Sequence, residues 1–128
     1  MRSQTVPQKK CLIVEDDALL AGAFQMVIED SGQVTAEPVA TEAEAIACII
    51  RDRPDVALLD IDIVGGTSMG VATALLAKDV PLAFISGHAA SDLPLPFSAM
   101  PYLQKPVSRA QLLALVDALS HEAEQGVV

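Results

Sequence analysis

Tryptophan is missing from this 128-residue chain, tyrosine occurs once and phenylalanine three times, so aromatic side chains make up only 3% of it. A core built without them falls to Ala, Val, Leu and Ile, and at 52% hydrophobic the chain is well supplied with these. Basic residues are scarce too: eight Lys and Arg stand against seventeen Asp and Glu, a net charge of −9. Binding to phosphate backbones needs clustered Lys and Arg, so this balance argues against a nucleic-acid partner. No apolar run approaches the roughly 18 residues that a membrane span needs, and no charged-then-apolar signal segment opens the chain, so no membrane association is expected. Of cysteine there is Cys11 and Cys48, both inside apolar patterns and without metal-ligand spacing. That usage indicates buried free thiols in a reducing compartment, and from it the cytoplasm. A chain of this length is expected to form one domain that buries about two-thirds of its unfolded surface.

What is present alternates between short apolar runs and helical periods. Residues 1–9, "MRSQTVPQK", read as a disordered lead-in, 10–123 as the domain and 124–128 as a tail. "CLIVE" is a β-branched run. "DALLAGAFQMVIED" places Leu20, Ala23, Phe24 and Val27 on one helical face, and Gly32 suits the left-handed position after the helix. "VTAEPV" is a weaker strand whose Pro38 lacks a ladder donor and belongs at an edge or a strand end. "TEAEAIACIIRD" opens with a capping box, Thr41 with Glu44. "DVALLD" is an unbroken apolar run suited to a central parallel strand covered on both faces. "SMGVATALLAKD" reads as a helix weakened by Gly70, "VPLAFIS" as a fourth strand and "PYLQ" as a short fifth. "SRAQLLALVDALSHEA" is the last helix, with a second capping box at Ser108 and Gln111. Strands alternating with helices over short connections predict a doubly wound α/β sheet.

In such a sheet the ligand site lies beyond the carboxyl ends of the strands. There this chain places Glu15, Asp16 and Asp17 after the first strand, Asp60 after the third, Ser86 at the fourth, and Lys105 with Pro106 after the fifth. Crowded carboxylates repel one another and call for a cation, and an all-oxygen set suits Mg²⁺. A carboxylate can also act as a nucleophile, taking a phosphoryl group as an aspartyl phosphate. The transferred group then needs a metal, a lysine and a hydroxyl donor for charge compensation.

"LIVEDD", "DVALLD", "PLAFIS" and "YLQKP", in this order and spacing, resemble the receiver domain of two-component response regulators over residues 10–123. The resemblance implies a flavodoxin-like five-stranded parallel sheet of order 2-1-3-4-5 flanked by helices. It implies Asp60 as phospho-acceptor and Mg²⁺ as cofactor, bound directly by Asp16, mostly through a water by Glu15, and by Asp60 and the main-chain carbonyl of Asp62. Ser86 and Lys105 would hold the phosphoryl oxygens, with the Lys105-Pro106 bond cis, and Ser86 and Tyr102 would form the switch. The implied phosphodonor is a histidine kinase or a histidine phosphotransfer protein, and the signal passes to an output protein that the sequence does not identify. Slow self-dephosphorylation is implied, not the work of a dedicated multiple-turnover enzyme.

Departures from the family are equally visible. Gly65-Gly66 follows Val64 where a proline is usual, and Val107 replaces the usual phenylalanine. The stretch 87–101, "GHAASDLPLPFSAMP", is proline-rich where the family has a full fourth helix. Proline removes a helical donor and pushes the residue before it out of helical angles. A loop or one short turn is therefore expected, pinned to the core by Leu93, Leu95 and Phe97. Together these features resemble a subgroup of stand-alone alphaproteobacterial receivers with a degenerate fourth helix. With no room for an output domain after the last helix, a stand-alone regulator and a receiver cut from a hybrid kinase both fit.

Two other functions share part of the pattern. "DIDIV" also fits the Asp-x-Asp motif of haloacid-dehalogenase-like phosphatases, but these carry it on their first strand and place their metal-binding acids later. A pseudo-receiver that binds partners without phosphorylation is the third reading, against which stand the intact Glu15, Asp16, Asp60, Ser86 and Lys105. Bland roles exist for single residues as well. Asp60 could be a loop-capping surface acid, Lys105 an exposed lysine and Tyr102 half-buried packing. Asp62 could be a solvated side chain, and Asp17 suits a helix N-terminus.

Overall fold

A computed structural model describes residues 8–63, 65–87 and 93–125. The elements run β1 (Lys9–Val14), α1 (Ala18–Glu29), β2 (Val34–Val39), α2 (Glu42–Arg51), β3 (Val56–Leu59), β4 (Asp62–Ile63), β5 (Gly66–Thr67), α3 (Met69–Ala77), β6 (Leu82–Ser86), β7 (Tyr102–Gln104) and α4 (Arg109–Gln125). Five strands form one parallel sheet in the order β2-β1-β3-β6-β7. Numbered within that sheet alone this is 2-1-3-4-5, the expected order. Pro38 lies on the edge strand β2, as its missing donor requires.

Strand side chains alternate between the two faces of a sheet, and here both faces are covered. Leu12, Val14, Ala57, Leu59, Leu82 and Phe84 meet α2 and α3 through Ala45, Cys48, Ile49, Val71 and Leu75. Cys11, Ile13, Val56, Leu58, Ala83 and Ile85 meet α1 and α4 through Phe24, Ile28, Leu112, Val116 and Leu119. On α1 the expected face needs correction. Ala21, Phe24 and Ile28 are the buried residues, Leu20 and Val27 border them, and Ala23 is exposed. A 3.6-residue period lets two faces share Phe24, and the one that buries the larger Ile28 prevails.

Local signals hold where they rest on backbone hydrogen bonding. Thr41 Oγ1 accepts from the Glu44 amide at 3.1 Å while the Glu44 carboxylate accepts from the Thr41 amide at 3.2 Å. Ser108 and Gln111 exchange the same pair of bonds at 3.1 and 2.9 Å. Gly32 takes φ 77° after α1. The antiparallel ribbon of β4 and β5 is an element that the sequence reading lacked. Gly65 precedes β5 and Gly66 opens it, with φ values of 88° and 153° that favour glycine.

Between β6 and β7 the described residues contain one 3-10 turn, Phe97–Ala99, and no α-helix. The turn expected over 88–92 falls outside the described residues, together with His88, Val64, residues 1–7 of the lead-in expected over 1–9 and residues 126–128 of the tail expected over 124–128; Lys9 already belongs to β1, and Glu124 and Gln125 still belong to α4. Leu93 is buried, and the Phe97 ring stands edge-on to Phe84 with centroids 6.1 Å apart. Leu95 does not pin the segment: it is 79% exposed. The chain turns at 95–96, and Leu93, Phe97 and Met100 fill the space against the core, leaving Leu95 to project outward.

Both cysteines are buried free thiols. Burial pushes the Cys11 thiol up from 9.0 to about 12, so the unfolded chain loses this proton first as pH rises. The corresponding share of stability is intact below pH 9 and declines between pH 9 and about 12. A thiol reagent at pH 8 is expected to label neither cysteine in the native protein and both in denaturant. Rapid native labelling would contradict the packing. Thr41→Ala is expected to cost about 1 kcal/mol in denaturant unfolding by removing a helix cap. An unchanged midpoint would show that the capping box contributes nothing.

Candidate functional site

Three backbone hydrogen bonds extend the sheet's ladders past the strand ends and bring the site together. The Glu15 amide donates to Val39 O at 3.0 Å, the Asp60 amide to Val14 O at 2.8 Å, and the Lys105 amide to Ser86 O at 2.8 Å. Residues far apart in sequence thus meet at the carboxyl edge. Glu15, Asp16 and Asp60 form a group whose carboxylate oxygens lie within 4.8 Å of one another. Lys105 Nζ donates to Glu15 Oε1 at 2.6 Å and to Asp60 Oδ2 at 3.0 Å.

Burial raises the stakes of these contacts. The side chains of Glu15 and Asp60 are 3% and 11% exposed and that of Lys105 23% exposed, while Asp16 is open to solvent. For Glu15, loss of hydration pushes the carboxyl upward, and the Asp60 charge adds to this against the Lys105 and Asp17 hydrogen bonds. For Lys105, burial pulls the ammonium down, but the hydrogen bonds and charges of Glu15 and Asp60 outweigh it and the net shift is upward. The ammonium therefore stays charged at neutral pH.

The remaining expected residues fall around this group. Asp17 caps α1, its Oδ1 accepting from the amides of Leu19 and Leu20 at 3.0 and 3.1 Å. Its own amide donates to Glu15 Oε2 at 3.1 Å. Ser86 ends β6 and is buried. Tyr102 opens β7 opposite Phe84 and is half-buried against the core. Lys105-Pro106 is cis, as expected. Asp62 has an exposed side chain in β4, and the acidic group found among the described residues does not include its carboxylate. The sequence reading placed Lys105 near Asp60 but missed its closer partner, Glu15. The signal for that was the double acid after β1, with the first acid continuing the buried strand.

A set of hard carboxylate oxygens, with one member facing water, fits Mg²⁺, which takes oxygen ligands and retains waters. The residues present are therefore suited to that ion. A larger groove of about 820 Å³ lies elsewhere, at the amino ends of β1 and β2 against α4, and includes none of the acidic group. Among the described residues no helix is long and apolar enough to cross a membrane.

Comparison with known proteins agrees with this geometry. The response regulator receiver domain family model matches residues 11–117. Transcriptional regulatory protein PrrA of Mycobacterium tuberculosis is 32% identical over 119 residues, covering 89% of this chain and 51% of its own length. Transcriptional regulatory protein CseB of Streptomyces coelicolor is 32% identical over 117 residues, 88% of this chain and 49% of its own. The chain thus spans about half the length of these curated relatives. A CheY-like receiver domain protein from Methanospirillum hungatei superposes with a TM-score of 0.83 at 26% identity, covering 94% of this chain and 99% of its own. The signal receiver domain of a LuxO repressor protein from Vibrio parahaemolyticus reaches a TM-score of 0.84 at 22% identity over 94% and 95%. The matched span contains the two acids after β1, Asp60, Ser86 and Lys105 in the order expected, and the chain belongs to the response-regulator receiver family.

Proposed function

We propose that Asp60 is the phospho-acceptor of this receiver. The observation that carries the proposal is the Asp60 carboxylate held 3.0 Å from the Lys105 ammonium inside a group of carboxylates at the sheet's carboxyl edge. In the transfer, an Asp60 oxygen attacks the phosphorus of a phosphohistidine on a histidine kinase or phosphotransfer protein. The P–N bond breaks, its electron pair leaves with the imidazole, and an aspartyl phosphate forms. Lys105 and the Ser86 hydroxyl hold the phosphoryl oxygens, where fixed donors stabilise developing charge. Water later attacks the same phosphorus, the P–O bond to Asp60 breaks, and inorganic phosphate leaves as the carboxylate is regenerated. That step is slow, which makes the protein a timed switch and not a multiple-turnover enzyme.

Glu15, Asp16 and Asp60, with the main-chain carbonyl of Asp62, would hold Mg²⁺, whose contribution when bound is charge compensation for the phosphoryl group. The signal leaves through β6 and β7. Ser86 pairs with Gln104 and Phe84 with Tyr102, two registers apart on those strands, so a change at the Ser86 hydroxyl reaches the Tyr102 ring through two paired strands. An output protein in the cytoplasm reads it on the surface beside Tyr102. The haloacid-dehalogenase-like phosphatase reading has less support, because Glu15, the acid that shares Lys105 with Asp60, and its neighbour Asp16 precede Asp60 in the chain.

Incubation with acetyl phosphate and Mg²⁺, followed by intact mass, is expected to show one added phosphoryl group. Asp60→Asn abolishes the gain, and Asp16→Asn reduces it by weakening the metal site. A normal gain in Asp60→Asn would overturn the assignment, and rapid multiple turnover on small phosphate esters would favour the phosphatase.

A further inference from the structure

The edge of the sheet opposite the acidic group carries the groove of about 820 Å³, between the amino ends of β1 and β2 and the second half of α4. Leu113, Val116, Asp117, Ser120 and Glu124, three or four residues apart, turn one face of α4 toward it. Ile28 near the end of α1 and Val34 at the start of β2 complete an apolar floor. The volume falls within the roughly 300–1,000 Å³ of sites that enclose a ligand. A second observation marks the groove as incomplete. The Ser120 hydroxyl is buried and has no hydrogen-bond partner among the described residues. A buried hydroxyl left unpaired costs free energy that a polar neighbour recovers.

The chain supplies an occupant at the rim. Gln8 lines the groove, and its Nε2 donates to Gly32 O at 3.1 Å. The Lys9 amide donates to Gln33 O at 3.2 Å, and its ammonium pairs with Glu124 at 2.8 Å. Residues 8 and 9 are thereby tied to both walls, so the chain directly before them, "MRSQTVP", sets out from the mouth of the groove. Seven residues reach up to about 23 Å, and the α4 wall from Leu113 to Glu124 is only about 16 Å long. Composition fits as well. Val6 and Pro7 are apolar, Ser3, Gln4 and Thr5 carry hydrogen-bonding groups, and Arg2 is the one charged residue of the stretch. In a chain of net charge −9 this acid-free stretch is complementary to a wall that carries Asp117 and Glu124. Attachment favours it over any separate partner, because a tethered segment acts at an effective concentration in about the millimolar range.

We propose that the groove is the docking site of the chain's own residues 1–7, with Arg2 against Asp117 and the polar groups of residues 3–5 over Ser120. Docked there, the segment covers the last turns of α4 and closes that face to other chains.

The chain contains no tryptophan, so Val6→Trp in the otherwise unaltered chain gives a single fluorescent reporter. Its emission is expected to lie to the blue of that in urea. A segment docked about nine-tenths of the time leaves acrylamide quenching about tenfold weaker than in urea. Asp117→Arg, added on the exposed wall, reverses the charge that Arg2 meets and is expected to restore most of the quenching. Quenching as strong in buffer as in urea would leave the groove to another occupant and overturns the proposal. Shielding that Asp117→Arg does not change places the segment elsewhere and overturns it too. Shielding that grows with protein concentration, together with a dimer in ultracentrifugation, assigns the groove to a second copy's segment and overturns docking within one chain. The unaltered protein gives an independent reading. Hydrogen exchange over residues 32–34 and 117–124 is expected to be slower in the whole chain than in one lacking residues 2–7, and equal rates count against the proposal.

Discussion

Three carboxylates forced within 4.8 Å of one another, with a single ammonium between two of them, set the terms for the rest of this molecule. Like charges at that separation repel strongly, and removing an ion from water costs of order several kcal/mol even after relaxation. Only a rigid frame can hold such a group together. The frame is the parallel sheet, whose ladders continue one residue past β1 and β3 to position Glu15 and Asp60, and past β7 to position Lys105. The aliphatic runs just before these residues are buried on both faces, and that burial stabilises the fold against the cost of the acidic edge.

The same frame explains how a chain with few aromatics and a shortened segment between β6 and β7 remains intact. Two aliphatic layers, one on each side of the sheet, do the packing, and of the few rings Phe84 is fully buried at the centre of one layer. Phe97 meets it from the segment where the family carries its fourth helix. Leu93 and Phe97 thus close the core from this segment, whose described residues form one 3-10 turn and no α-helix. Leu95 of the same segment is exposed.

Much of this was legible in the sequence, for identifiable reasons. Parallel strands in an α/β sheet point their carboxyl ends to one side, so acids ending the first and third runs had to converge with a lysine ending the fifth. Capping boxes at Thr41 and Ser108 were legible because they are local backbone chemistry. Less visible was what depends on competition in three dimensions. Lys105 had two acids within reach, and ninety positions of chain separate it from the one it approaches more closely. The exposure of Ala23 and Leu95 depends on which neighbours fill the core, and a periodicity or a hydrophobic side chain alone does not say which. The ribbon of β4 and β5 is two residues per strand, below the length at which an alternating pattern can be recognised.

The claim at the centre is that this acidic edge exists to make Asp60 accept a phosphoryl group. Reductive trapping tests it directly. The protein is phosphorylated with acetyl phosphate and Mg²⁺, treated with deuterated borohydride, which reduces an acyl phosphate to the alcohol, and digested for tandem mass spectrometry. The account predicts deuterium-labelled homoserine at position 60 and at no other acidic residue. Label at Asp16, Glu15 or Asp62, with position 60 still aspartate, would contradict it.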